Sequence, residues 1–279
     1  MTDADGRWFV RPYPRQGARL RLVCLAHAGG GPGMFAGWSR RLPDDVEMVG
    51  VRLPGRESRF RERAYTRWPE LVRDLGRALV AVPRPYALFG HSLGGMIGYE
   101  LTVRGRVEPD MLLLAGTRPP HAVVPEPRIH SMPEPEFSQA LAAIAATPAE
   151  VLADRKLLES LTPMLRADLT LAETWPALPP RPVLAPLVTF AGEEDPLAPP
   201  EVVAEWDRYA GGGLVEYRLP GRHFAVGGRA ATMPELVGRE LTRRAQTRRN
   251  DAFDVPVDRS RRVPDRGGRP PRTGGRCCR

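Results

Sequence analysis

The apolar run Tyr86–Phe89 ends on Gly90-His91-Ser92-Leu93-Gly94, and Leu93–Arg104 beyond it reads as a helix. A short strand that enters a glycine-flanked turn and leaves as a helix belongs to a sheet wound from strand–helix units. Other segments repeat the pattern. Strands are expected at Arg19–Ala26, Val46–Leu53, Met111–Ala115, Val188–Ala191 and Leu214–Leu219. Helices are expected at Trp68–Val82, where Leu71, Val72, Leu75 and Leu79 keep helical spacing, and at Glu201–Tyr209 and Pro234–Ala245. Short, nearly continuous apolar strands alternating with helices predict an α/β fold: a mostly parallel sheet with helices on both faces.

One connection exceeds what a crossover needs. About seventy residues separate the strand ending near Ala115 from the one beginning near Pro186, where a dozen suffice. The stretch holds two helical segments, Glu136–Ala146 and Asp154–Trp175, after a proline-rich approach (Pro125, Pro127, Pro133, Pro135). It is expected to form an inserted helical lid over about residues 119–175, since long insertions in compact domains usually serve as lids or binding elements. The expected organisation is one domain over residues 1–246 carrying this lid. A tail over 247–279, rich in arginine, glycine and proline and without hydrophobic periodicity, is expected to be disordered.

The net charge of +8 belongs to that end of the chain. Residues 243–279 hold twelve arginines against four aspartates, so the remainder is neutral and gives no basis for nucleic-acid binding by the folded part. With 42% hydrophobic residues there is enough apolar material for a sizeable core. No apolar run reaches the roughly 18 residues of a membrane span, and the first twenty residues hold no hydrophobic leader. A cytoplasmic protein that does not enter a membrane is expected. Cys24, Cys277 and Cys278 build neither a disulfide framework nor a metal-ligand spacing, so no metal site is expected.

The turn Gly90–Gly94 has the strand-to-helix context that a nucleophile elbow requires. It projects the Ser92 hydroxyl at a helix N-terminus, where free amides favour developing negative charge. A serine needs a base. His27 precedes the serine, His91 adjoins it, and His121 and His130 fall in the approach to the lid; His223, in Gly221-Arg222-His223-Phe224, follows the last strand. Hydrolases with such an elbow carry their partners in the chain order serine, acid, histidine, and only His223 leaves room for an acid after the penultimate strand. The acid is expected at Asp195, where Pro196 fixes the turn, with Glu193 and Glu194 as rivals. His27-Ala28-Gly29-Gly30-Gly31 offers amides unobstructed by side chains, so the backbone N–H groups of Ala28 and Leu93 are the candidate oxyanion donors. The chain has no GxxxxGK[ST] pattern, which leaves a nucleotide-binding loop unsupported.

These and other landmarks carry a family resemblance. Trp8-Phe9, Leu25–Gly31 (LAHAGGG), Leu53–Arg59 (LPGRESR), Gly90–Gly95 (GHSLGG), Thr147–Val151 (TPAEV), Pro163–Asp168 (PMLRAD) and Gly221–Phe224 (GRHF) occur in this order across roughly residues 8–245. In this the chain resembles the stand-alone type II thioesterases of polyketide and non-ribosomal peptide assembly lines, which are α/β-hydrolases. Ala26 stands where family members often have proline, and Gly221-Arg222 where they often have Gly-Gly. The resemblance implies hydrolysis of acyl groups from the phosphopantetheine arm of an acyl or peptidyl carrier protein, clearing aberrant chains. It implies a monomer with no cofactor of its own. Two other readings use the same residues: a general carboxylesterase or lipase with the same triad, and a carrier-protein binding module without catalysis. The landmarks outside the triad favour the thioesterase over the first, and the presence of all three triad residues speaks against the second.

Overall fold

A computed structural model describes residues 3–105, 107–122, 128–144, 151, 153–176, 179–223 and 232–253. Phe224, most of Thr147–Val151, Pro125, Pro127 and the tail beyond Phe253 lie outside the described residues. Seven strands form one sheet: β1 (Phe9–Val10), β2 (Leu20–Leu25), β3 (Val46–Val51), β4 (Tyr86–His91), β5 (Leu112–Ala115), β6 (Leu187–Gly192) and β7 (Leu214–Leu219). Their order is β1-β3-β2-β4-β5-β6-β7. Only β1 runs antiparallel, pairing Phe9 with Val51; every other neighbouring pair is parallel. At two residues β1 is too short to announce itself by periodicity, and it was not expected.

Strands β2 to β6 are apolar on both sides because both sides are covered. Val23, Leu25, Leu88, Leu112 and Leu114 face one core with α2 (Trp68–Leu79) and α3 (Leu93–Arg104). Leu22, Cys24, Phe89, Leu113 and Phe190 face another, with Phe35, Trp38 and, from α7 (Met233–Phe253), Met233, Val237 and Leu241. Each large side chain so buried stabilises the fold by about 1.5–3 kcal/mol. The edge strand β7 alternates half-buried and exposed residues, as a strand with one open side should.

The expected helix Glu201–Tyr209 divides into α6 (Pro200–Ala204) and a 3₁₀ turn over Glu205–Tyr209. A 3₁₀ turn stacks residues three apart, which brings Trp206 and Tyr209 together against Tyr99 of α3. Helix α7 runs on to Phe253, past its expected end at Ala245, since neither glycine nor proline interrupts residues 239–255. The residues up to Arg244 make one compact unit, and Ala245–Arg279 make a second, whose described residues are helical.

The long connection joins two adjacent parallel strands, β5 and β6. It contains α4 (Glu136–Ala143) and α5 (Arg155–Glu173). Asp154 caps α5 by accepting the Leu157 amide at 3.0 Å. Phe137, Leu141, Met164, Leu165 and Leu169 form a small core of their own. The far end of α5 is tied to the main body: Trp68 Nε1 donates to the Leu171 carbonyl, and Trp175 Nε1 donates to Glu100 Oε1 at 2.9 Å. No helix among the described residues is long and apolar enough to cross a membrane.

Candidate active site

The carboxyl ends of β4, β5, β6 and β7 lie side by side, and each is followed by a residue of the site. That is where loops of an open parallel sheet converge. Ser92 follows β4 with a positive φ, φ 53° and ψ −117°, a sparsely populated conformation that costs a non-glycine residue about 1–3 kcal/mol. Packing on both sides holds it there. A Cβ on Gly90 would strike the backbone of Gly94 and Gly95, and one on Gly94 would strike the carbonyls of Leu25 and Ala26. The Ser92 amide donates to the Ala115 carbonyl at 2.8 Å, and its hydroxyl does not cap α3. The side chain therefore stands at the helix N-terminus without being consumed by it.

Asp195 follows β6 and His223 follows β7. His223 Nδ1 donates to Asp195 Oδ2 across 2.7 Å, with the two residues only 4% and 3% exposed. The other carboxylate oxygen, Oδ1, accepts the amides of Leu197 and Ala198 at 2.8 and 3.1 Å, closing the turn that Pro196 shapes. Glu193 and Glu194, the rival acids, are exposed. Gly116, after β5, lies directly beneath the pair: a Cβ there would come within 3.4 Å of both Asp195 and His223.

Sequence reasoning assigned no role to His91, yet it belongs to this assembly. Fully buried, it donates from Nε2 to the His223 carbonyl at 3.0 Å, and its ring lies between those of His27 and His223. Burial pushes the His91 imidazole well below its ordinary pKa, and the neighbouring histidines act in the same direction. Burial also lowers His27, whose Nδ1 bonds to the Ala28 carbonyl at 2.8 Å. His121 and His130 stand elsewhere, paired with Glu205 and Glu173.

The glycine loop after β2 turns back on itself through the Gly30 amide, which donates to the His27 carbonyl at 2.9 Å. Among the described residues the Ala28 and Leu93 amides donate to no protein acceptor. Two landmarks with no role assigned from the sequence meet at this loop. Arg56 Nη2 lies 2.7 Å from Asp168 Oδ1, a pair 6% and 1% exposed. Removing one partner from a buried ion pair leaves an uncompensated charge and costs about 3–5 kcal/mol. No cluster of three or more metal-ligating side chains occurs among the described residues.

A model of the thioesterase domain family matches residues 20–239. Thioesterase PikA5 of Streptomyces venezuelae is 34% identical over 80% of this chain and 83% of its own length. Among solved structures, the RedJ thioesterase from the prodiginine biosynthetic pathway in Streptomyces coelicolor superposes with a TM-score of 0.72. It is 33% identical, over 80% of this chain and 86% of that one. The type II thioesterase BorB from the borrelidin biosynthetic cluster gives 0.77 at 25% identity, over 86% and 99%. With a strand-to-helix serine elbow on a parallel sheet and a buried aspartate–histidine pair beside it, this chain belongs to the thioesterase family and is a thioester hydrolase of the α/β-hydrolase fold.

Proposed function

We propose that this enzyme releases acyl groups from the phosphopantetheine arm of acyl or peptidyl carrier proteins, editing aberrant chains on a polyketide or non-ribosomal peptide assembly line. The observation that carries the mechanism is the buried Asp195–His223 hydrogen bond at the strand ends that also present Ser92. With Nδ1 committed to Asp195, proton transfer falls to His223 Nε2. The Ser92 hydroxyl oxygen attacks the thioester carbonyl carbon while Nε2 takes its proton. The resulting oxyanion is received by the Ala28 amide of the loop after β2 and the Leu93 amide at the N-terminus of α3. Collapse of the tetrahedral adduct breaks the carbon–sulfur bond, and the proton on Nε2 leaves with the thiol. Water then attacks the acyl-Ser92 ester, giving its proton to Nε2, which returns it to the Ser92 oxygen as the carboxylic acid departs. A thiolate is a good leaving group, so these groups suffice without a cofactor. Asp195 holds the imidazole tautomer and stabilises the imidazolium formed in each half-reaction.

The substrate assignment rests on the family and on the relatives named for such pathways. The enzyme is proposed to act as a cytoplasmic monomer that docks its carrier protein and admits the arm beneath the α4–α5 insertion. The test is turnover of acetyl- and longer acyl-carrier proteins beside a matched oxygen ester, with Ser92→Ala as control. Preference for the carrier-bound thioester supports the reading. Faster cleavage of the oxygen ester would make the protein a general esterase. Carrier binding without turnover would make it a binding module.

A further inference from the structure

The two landmarks left without a role, Leu53–Arg59 and Pro163–Asp168, meet through side chains 112 residues apart in the chain. We infer that Arg56 and Asp168 are positioning residues: their buried pair fixes the glycine loop that presents the Ala28 amide, and so couples the inserted helix α5 to oxyanion stabilisation. The inference rests on the proposed roles of Ser92 and Ala28.

The contacts on the loop restrain successive peptide planes from that amide onward. Asp168 Oδ2 accepts the Gly29 amide at 2.8 Å, while His27 Nδ1 holds the carbonyl of the same peptide unit, that of Ala28. Arg56 Nη1 donates to the Gly30 carbonyl at 2.6 Å. Gly30 in turn donates to the His27 carbonyl, which shares its peptide plane with the Ala28 N–H. The candidate donor's own plane is thus tied to the Gly30 amide, the next plane along is held by Asp168, and the carbonyl of Gly30 is held by Arg56. Leu165 of α5 closes over the same place: a Cβ on Gly29, whose φ is +78°, would come within 2.6 Å of Leu165 Cδ2. Further along, Glu57 Oε1 accepts the Gly33 amide at 3.3 Å, so the segment after β3 holds the loop at Gly30 and again at Gly33.

The chemistry of the pair suits positioning better than bulk stabilisation. Swapping a buried ion pair for apolar residues of similar volume is often neutral for stability, so a pair kept only for stability has an easy substitute. Arginine's rigid fork holds Gly30 and Asp168 through two separate nitrogens at once, a geometry that an ammonium with all its donors on one atom does not reproduce. Asp168 sits on α5, so displacing that helix would withdraw the acceptor from Gly29 and the partner from Arg56 together. Hydrolysis would then proceed at full rate only with α5 seated.

The experiment compares wild type, Arg56→Lys, Asp168→Asn and the double variant Arg56→Met/Asp168→Leu, using the butanoyl thioester of N-acetylcysteamine as probe. Melting temperature, kcat, KM and the Ser92 acyl-adduct rate are measured for each. The double variant should keep its melting temperature within a few degrees and its KM within about twofold, while kcat and acylation fall about 100-fold, the scale expected for a misplaced oxyanion donor. Asp168→Asn retains an oxygen acceptor for the Gly29 amide and should lose about tenfold; Arg56→Lys should lose kcat more than stability. A double variant with near-normal kcat overturns the inference. If that variant does not fold, near-normal kcat in both Asp168→Asn and Arg56→Lys overturns it equally. Absence of a Ser92 adduct in the wild type would instead overturn the proposed mechanism beneath it.

Discussion

His91 grips the backbone of His223: its Nε2 donates to the His223 carbonyl oxygen at 3.0 Å, across 132 positions of sequence. The residue before the elbow serine therefore helps to hold the loop of the candidate base. One face of His223 is fixed by Asp195 through its side chain, and its main chain is fixed by His91.

This arrangement makes stability depend on pH in a defined direction. His91 stays neutral in the fold because burial lowers its pKa, whereas in the unfolded chain it titrates near 6.5. The stability is therefore present above about pH 6.5 and is lost as pH falls below it, by at most about 1.4 kcal/mol per pH unit for this one group. His91→Asn keeps an N–H donor for the His223 carbonyl and removes the titration. Urea unfolding between pH 7 and 5 should show a shallower decline for the variant; parallel curves would exclude His91 as the group responsible.

Ser92→Ala should abolish acyl-enzyme formation and lower turnover by several orders of magnitude. Intact-protein mass spectrometry after exposure to an acyl thioester reads this directly. An adduct that persists in the variant would place the nucleophile elsewhere.

Asp195→Asn should cost about 10⁴-fold in kcat with little change in KM, because an amide at this position can hold the imidazole in the wrong tautomer. Glu193→Gln and Glu194→Gln should be near wild type, since both side chains are exposed. A comparable loss in either glutamine variant would reassign the acid.

Gly90→Ala should be among the most damaging single-atom additions to the fold. Its methyl group meets backbone atoms of Gly94 and Gly95, which cannot rotate away as a side chain can. We expect a loss of about 3 kcal/mol or more in urea unfolding, at the upper end for overpacking. Gly37→Ala, with nothing near its Cβ and φ at −80°, is the control and should stay within about 0.5 kcal/mol.

Phenylalanine at Leu158 or Leu161, half-buried beside the small core of the insertion, should shift acyl chain-length preference while sparing a small activated ester. Equal loss on both substrates at normal melting temperature would show that the insertion does not select substrates.

Local pattern made part of this legible. Strand β4, the Gly90–Gly94 turn and helix α3 are encoded within nineteen consecutive residues, Tyr86–Arg104, and their outline follows from apolar runs and glycines that no substitute would fit. The length of the β5–β6 connection marks residues beyond what a crossover between neighbouring parallel strands needs. The chain order of serine, acid and histidine makes one of five histidines the proposed base.

What the sequence by itself determined was therefore the set of elements, their parallel winding and the short list of reactive groups, because periodicity, turn chemistry and spacing act over a few residues. The tertiary structure gives near-equivalent groups different surroundings. Asp195, Glu193 and Glu194 are three carboxylates in a row, and only burial and a hydrogen bond to His223 single out the first. Only the folded sheet brings His91 to the His223 carbonyl and Arg56 to Asp168, since those contacts join segments that are distant along the chain. A buried charge or imidazole acquires its role from whatever surrounds it. That surrounding exists only once the strand ends have been brought side by side.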